Sequence, residues 1–123
     1  MNTLFVIGRI IFGGYFLMMG LMHFKNYKMM KGYAQSKGVI APSFAVVLTG
    51  IILTLGGLGI VLRSYLEISY ALIAVFLFFV TPKMHTFWRE TDPNKKMVEM
   101  QNFLKNMAMF GAALMLMVMS IGI

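Results

Sequence analysis

The chain contains no cysteine, and only 12% of its 123 residues are charged. Without cysteine there is no thiolate nucleophile, no dithiol couple, and no thiolate ligand set for zinc or an iron–sulfur cluster. Any redox carrier would have to be borrowed. The scarcity of charge, set against a hydrophobic content of 59%, exceeds what a single soluble core of this size buries and points to lipid as the solvent. Internal repeats and low-complexity tails are lacking, as is any pattern resembling a catalytic triad, a phosphate loop or a metal-binding helix.

What is present is a succession of apolar runs. Each is near the roughly 20 residues that a membrane-crossing helix needs. They cover Leu4 to Phe24, Ser43 to Leu62, Tyr65 to Thr81 and Phe103 to Ile123. The expected fold class is all-α, a single domain over residues 1–123 forming a membrane four-helix transmembrane bundle. Met1 to Thr3 carry no basic side chain and the run after them is too long for a signal-peptide core, so it is expected to be a retained span. The third run is expected to stop against Pro82. Asp92 followed by Pro93 is a strong helix start, because the carboxylate caps free backbone donors and proline suits the first turn. One long helix is therefore expected from Pro93 into the last span.

The formal charge of +7 does not point to nucleic acid, because the lysines lie between apolar runs and not along a soluble face. With four spans, the longer connections, Lys25 to Pro42 and Lys83 to Asn102, fall on one side. They hold Lys25, Lys28, Lys31, Lys37, Lys83, Arg89, Lys95 and Lys96, with Lys105 just beyond, against Arg9 and Arg63 on the other side. The positive-inside rule then places both connections of a multi-pass membrane protein in the cytoplasm, with both termini outside. In the first connection Tyr27, Met30, Tyr33 and Ala34 share a helical face opposite Lys25, Lys28 and Lys31. That pattern fits an amphipathic segment lying in the interface, and equally a solvated loop with scattered aromatics.

Helical spacing aligns Arg9, Gly13, Phe16, Gly20 and His23 on one stripe of the first span, where glycine permits close helix contact. Glu67, Ala71, Ala74, Phe78 and Thr81 form a comparable stripe on the third. Arg9 and Glu67 then lie at similar depth on the outer side, and a structural ion pair between them is expected. The alternatives are that Glu67 pairs with Arg63, freeing Arg9 for a ligand, and that Arg9 snorkels to the interface. Gly50, Gly56, Gly57 and Gly59, with Ala108, Gly111 and Ala112, read as packing positions. Methionine is frequent, at 14 residues, and reads as flexible apolar filler in preference to a Cu(I) site.

On the fourth helix Glu99, Asn102, Lys105 and Asn106 share a polar face entering the membrane from the cytoplasmic side. His23 and His85 lie near the same interface. The candidate ligand-binding set is accordingly His23, His85, Trp88, Asp92, Lys105 and Asn106, with no metal site. Hydrogen-bonded interfacial histidines are the plainer reading of the pair; ligation of a haem iron or proton donation to a bound quinone is the sharper one.

Four segments taken together resemble the DoxX family of small four-helix membrane proteins: GLMHF (Gly20 to Phe24), YAQSKGVIAP (Tyr33 to Pro42), MHTFWRETDP (Met84 to Pro93) and NFLKNMAMFGAALML (Asn102 to Leu116). The resemblance implies a bacterial or archaeal cytoplasmic-membrane protein. It also implies association with respiratory or redox systems, such as thiosulfate:quinone oxidoreductase, or with oxidative-stress and quinone responses. By position it carries over to His23, Lys37, Gly38, Pro42, His85, Phe87, Trp88, Asp92, Pro93, Lys105 and Asn106. Relatives in thiol redox pathways are a poor guide, since this chain supplies no cysteine. The expected role is an accessory or anchoring subunit of a quinone-linked redox system without catalytic activity of its own. It would have no intrinsic cofactor, a quinone or lipid as ligand, and the lipid bilayer, redox-enzyme subunits or a second copy as partners. The alternatives are a binder or carrier of lipid or another small hydrophobic ligand, and a structural assembly element.

Overall fold

The computed structural model describes residues 2–122 as helices and short connections, with no strand among those residues. The helices are α1 (Thr3–Lys25), α2 (Tyr27–Ser36), α3 (Pro42–Leu62), α4 (Leu66–Met84) and α5 (Pro93–Ser120), with a 3-10 turn at Phe87–Arg89 between the last two. Four of them, all but α2, are long and apolar enough to cross a membrane. The chain is an all-α membrane bundle. Ile123, expected as the last residue of the final span, lies outside the described residues.

Local sequence explains most boundaries. The Asn2 side chain accepts from the Leu4 and Phe5 amides at the start of α1, and Asp92 accepts from the Asn94 amide with Pro93 in the first turn of α5. Each satisfies backbone donors that a helix start leaves free. Pro42 similarly opens α3. The expected stop at Pro82 does not occur: α4 runs through it to Met84, and the His85 amide still bonds the Thr81 carbonyl at 3.0 Å. Proline forfeits one hydrogen bond of its own, and so close to a helix end the remaining turn is too short for a break to relieve anything.

Packing runs from α1 to α3, α3 to α4 and α4 to α5, with α2 laid against α3. On α1 the buried residues are Gly13, Phe16, Gly20 and His23, the stripe expected from spacing. They meet α3, which presents glycines to both of its neighbours. Gly50 and Gly57 face α1, while Gly56 faces Ile73 and Ser69 of α4. A Cβ added at Gly57 would lie 2.7 Å from the Leu17 Cα and 2.8 Å from the Gly13 carbonyl oxygen, so the two backbones touch there. The expectation for Gly111 is corrected, since a Cβ there meets nothing within 4 Å. α5 packs instead through Ala113, which is fully buried.

The core joins Phe16, Leu53, Ile60, Tyr70, Ile73, Leu77 and Ala113. The stripe expected on α4 is rotated from the observed one: the buried face is Ser69, Tyr70, Ile73, Ala74, Leu77 and Thr81, while Glu67 and Phe78 are exposed. Because α4 sits between α3 and α5, its large apolar residues fill the interior, and small residues do not decide which face turns inward. Leu4, Ile11, Met18, Phe44, Leu55, Ile68 and Met115 point outward, as lipid-facing side chains do.

Candidate functional site: a cavity with a cationic mouth

Between α1, α3, α4 and α5, with α2 across one end, lies a cavity of about 600 Å³. Its walls are apolar: Phe16 and Met19 from α1, Val46 and Leu53 from α3, Leu77 from α4 and Met109 from α5. Polar groups gather at the end where the α1–α3 and α4–α5 connections lie, namely His23, Tyr33, Lys83, His85, Asn102, Lys105 and Asn106. An apolar volume with a few convergent polar groups is the usual form of a small-molecule site.

Four of the six candidate ligand-binding residues, His23, His85, Lys105 and Asn106, line this one cavity. Helical spacing brings Asn102, Lys105 and Asn106 to the same face of α5, and the ends of α1 and α4 bring the histidines to the same level. His23 is only 5% exposed. Its Nδ1 donates to the Met19 carbonyl one turn back at 2.7 Å, which leaves Nε2 as the ring nitrogen facing other groups. Asn106 is buried too, yet its amide makes no hydrogen bond with another described residue and borders the cavity.

The other two candidates lie elsewhere. Trp88 is 51% exposed and stacks edge-on with Phe87 and Phe103 in a surface aromatic cluster. Asp92 is exposed and caps α5. Asp92→Ala is therefore expected to lower thermal stability by about 1 kcal/mol, the typical cost of a lost helix cap, and to leave ligand retention unchanged. A melting curve recorded alongside a binding curve checks both.

The group that sequence reasoning underrated is Glu99. Its carboxylate accepts from the Lys37 ammonium at 2.9 Å, while His85 Nδ1 and the Tyr33 hydroxyl each approach at 3.5 Å. Lys37 also lies 3.7 Å from Glu90. These contacts latch α2 and its following turn to α5 across the mouth, which makes α2 a cover for the cavity and not merely an interfacial helix. Met30, Tyr33 and Ala34, on the face expected to turn toward the bilayer, line the cavity instead. Burial pulls the Lys37 ammonium toward release of its proton, but its bond to Glu99 and the nearby Tyr33 and Glu90 outweigh that, so its pKa stands above the ordinary lysine value. Burial, followed by the Glu99 charge, raises the Tyr33 hydroxyl. Both groups keep their protons at neutral pH.

At the opposite end the expected Arg9 to Glu67 ion pair does not form. Arg9 Nη1 donates to the Ile60 carbonyl at 2.6 Å and the Val61 carbonyl at 2.8 Å, and Glu67 is exposed. The last carbonyls of a helix lack intrahelical partners and carry its negative dipole end, so the guanidinium caps α3 from within the bundle. Reaching Glu67 would have required leaving those acceptors for a carboxylate that water already solvates.

No curated protein and no solved structure matches the chain. The DoxX family profile matches residues 4–86, which takes in α1, α2, α3 and α4, with His23, Lys37 and His85 at the mouth of the cavity. With more than half of its length matched, the chain belongs to the DoxX family.

Proposed function

We propose that this protein is a noncatalytic accessory subunit of a membrane redox or quinone-linked system, and that its contribution is to hold an amphiphile, a quinone or a lipid, in the bundle. The observation that carries the reading is the cavity, apolar along its length and polar only at the mouth under α2. A volume of about 600 Å³ falls within the range of roughly 300–1,000 Å³ usual for small-molecule sites. The chain offers no thiol for electron transfer, and His85 is engaged by Glu99. Its part is thus to bind and position. The charge asymmetry favours an orientation with the mouth and both longer connections on the cytoplasmic side of the inner membrane and both termini outside.

Gentle purification from the native membrane into lipid nanodiscs, followed by mass spectrometry of everything retained, tests this reading. One amphiphile in fixed ratio, together with a redox subunit, is the expected result. A chain that emerges with one lipid class and no protein partner would replace the accessory role with that of a carrier. A chain that retains neither would overturn the proposal.

A further inference from the structure

Every carboxylate among the described residues has an assigned place, and two cationic groups at the mouth are left over. The sequence has four acids. Glu67 lies at the far end of the bundle, at the start of α4. Asp92 caps α5. Glu90 and Glu99 both engage Lys37, and Glu99 also holds His85. Lys83 and Lys105, which line the cavity from α4 and α5, have no carboxylate within ion-pair distance among the described residues. The Asn106 side-chain amide, which is buried and lines the same cavity, has no hydrogen-bond partner among the described residues. Both lysines are exposed, so their pull on an anion comes from two positive charges facing one apolar volume and not from burial of either ammonium group.

We propose that the amphiphile is anionic and single-chained, with its headgroup, a carboxylate or a phosphate monoester, held between Lys83 and Lys105 and its tail running along Met19, Leu53, Leu77 and Met109. This rests on the amphiphile-binding reading above and narrows it, because a neutral quinone headgroup would leave both ammonium groups unmatched. Size supports one chain. A cavity of about 600 Å³ lies inside the range of roughly 300–1,000 Å³ usual for one small-molecule ligand, which a single alkyl chain with a small head matches. The Asn106 amide supplies a neutral donor that an anionic oxygen accepts from and a hydrocarbon does not.

The test uses the full chain in nanodiscs of zwitterionic phosphatidylcholine and measures binding of palmitate, hexadecyl phosphate, 1-hexadecanol and decylubiquinone. Palmitate or hexadecyl phosphate is expected to bind at least tenfold more tightly than the alcohol of equal chain length, and the tighter of the two identifies the headgroup. In the Lys83→Gln/Lys105→Gln double variant that preference is expected to vanish while the affinity for 1-hexadecanol stays as it was. The variant's melting temperature reports that it folds. Lys95→Gln/Lys96→Gln, which removes two positive charges from the first turn of α5 away from the cavity, is expected to keep the preference. Equal binding of alcohol and anions, or a preference that survives in the double variant, overturns the anionic assignment while leaving amphiphile binding intact. Failure of all four compounds to bind overturns amphiphile binding itself, and the headgroup assignment with it.

Discussion

Gly57→Ala is expected to destabilise the bundle by about 1–3 kcal/mol, the usual penalty for inserting a methyl group into a filled contact, and Gly57→Leu is expected to prevent α1 from docking. The new Cβ would meet the Leu17 Cα at 2.7 Å and the Gly13 carbonyl at 2.8 Å. Both are backbone atoms, which no rotamer change moves aside. Relief therefore requires the whole of α1 to shift from α3, and that shift would pull Phe16 and His23 out of their buried positions. Gly14, where an added Cβ meets nothing within 4 Å, is the control. Gly14→Ala is expected to be neutral or slightly stabilising, because alanine favours a helix over glycine by up to about 1 kcal/mol. Thermal melts of the three variants in one detergent decide the matter; equal loss in Gly14→Ala and Gly57→Ala would refute the close α1–α3 contact.

Removing Glu99 is expected to release the cover of the cavity. Glu99→Leu deletes the acceptor of the 2.9 Å bond from Lys37 and leaves His85 without its carboxylate. A hydrogen bond to a charged group contributes roughly 1.5–3 kcal/mol, and the loss here should fall toward the lower part of that range because Glu90 remains near Lys37. The lost contacts join α2 to α5, so the effect is expected to be local as well as global. Trypsin should cut at Lys28 and Lys31 of α2 several times faster in Glu99→Leu than in the parent chain, and a Lys37→Leu/Glu99→Leu double variant should recover part of the lost stability. Unchanged cleavage in Glu99→Leu would show that α2 is held by its packing on α3 alone.

The contrast between these two sites explains what could be read from the chain before folding. Gly13, Phe16, Gly20 and His23 fall on one stripe because helical geometry is local, and a run of glycines at that spacing leaves little choice of buried face. Pro93 as the start of α5 was legible for the same reason, since a cap needs only its neighbours. The Glu99 latch was not legible, because its partner Lys37 lies 62 residues away and the chain offers several lysines with equal claim. Arg9 shows a different limit. Charge logic assigned it to the nearest acid, but backbone carbonyls at a helix end are acceptors that side-chain pattern does not display. Trp88 and Asp92 were grouped with the histidines by sequence proximity to His85. In the structure Trp88, in the 3-10 turn at Phe87–Arg89, and Asp92, at the start of α5, are both exposed and do not line the cavity.

The cavity itself was only half visible. The polar face of α5 and the pair of histidines marked its mouth, whereas its apolar walls are made of the same leucine, methionine and phenylalanine residues that cover the lipid-facing surface. Composition does not separate residues facing a void from those facing lipid; only the assembled bundle does.

The most direct measurement is photolabelling with a long-chain carboxylate bearing a diazirine along its tail, added to the chain in nanodiscs, with the modified residues mapped by peptide mass spectrometry. Occupation of the cavity predicts labels on inward residues such as Met19, Leu53, Leu77 and Met109, suppressed by excess palmitate. Labels confined to outward residues such as Ile11, Phe44, Leu55 and Met115, and unaffected by competitor, would mean that the probe merely dissolves in the surrounding lipid, and would contradict a binding cavity in this bundle.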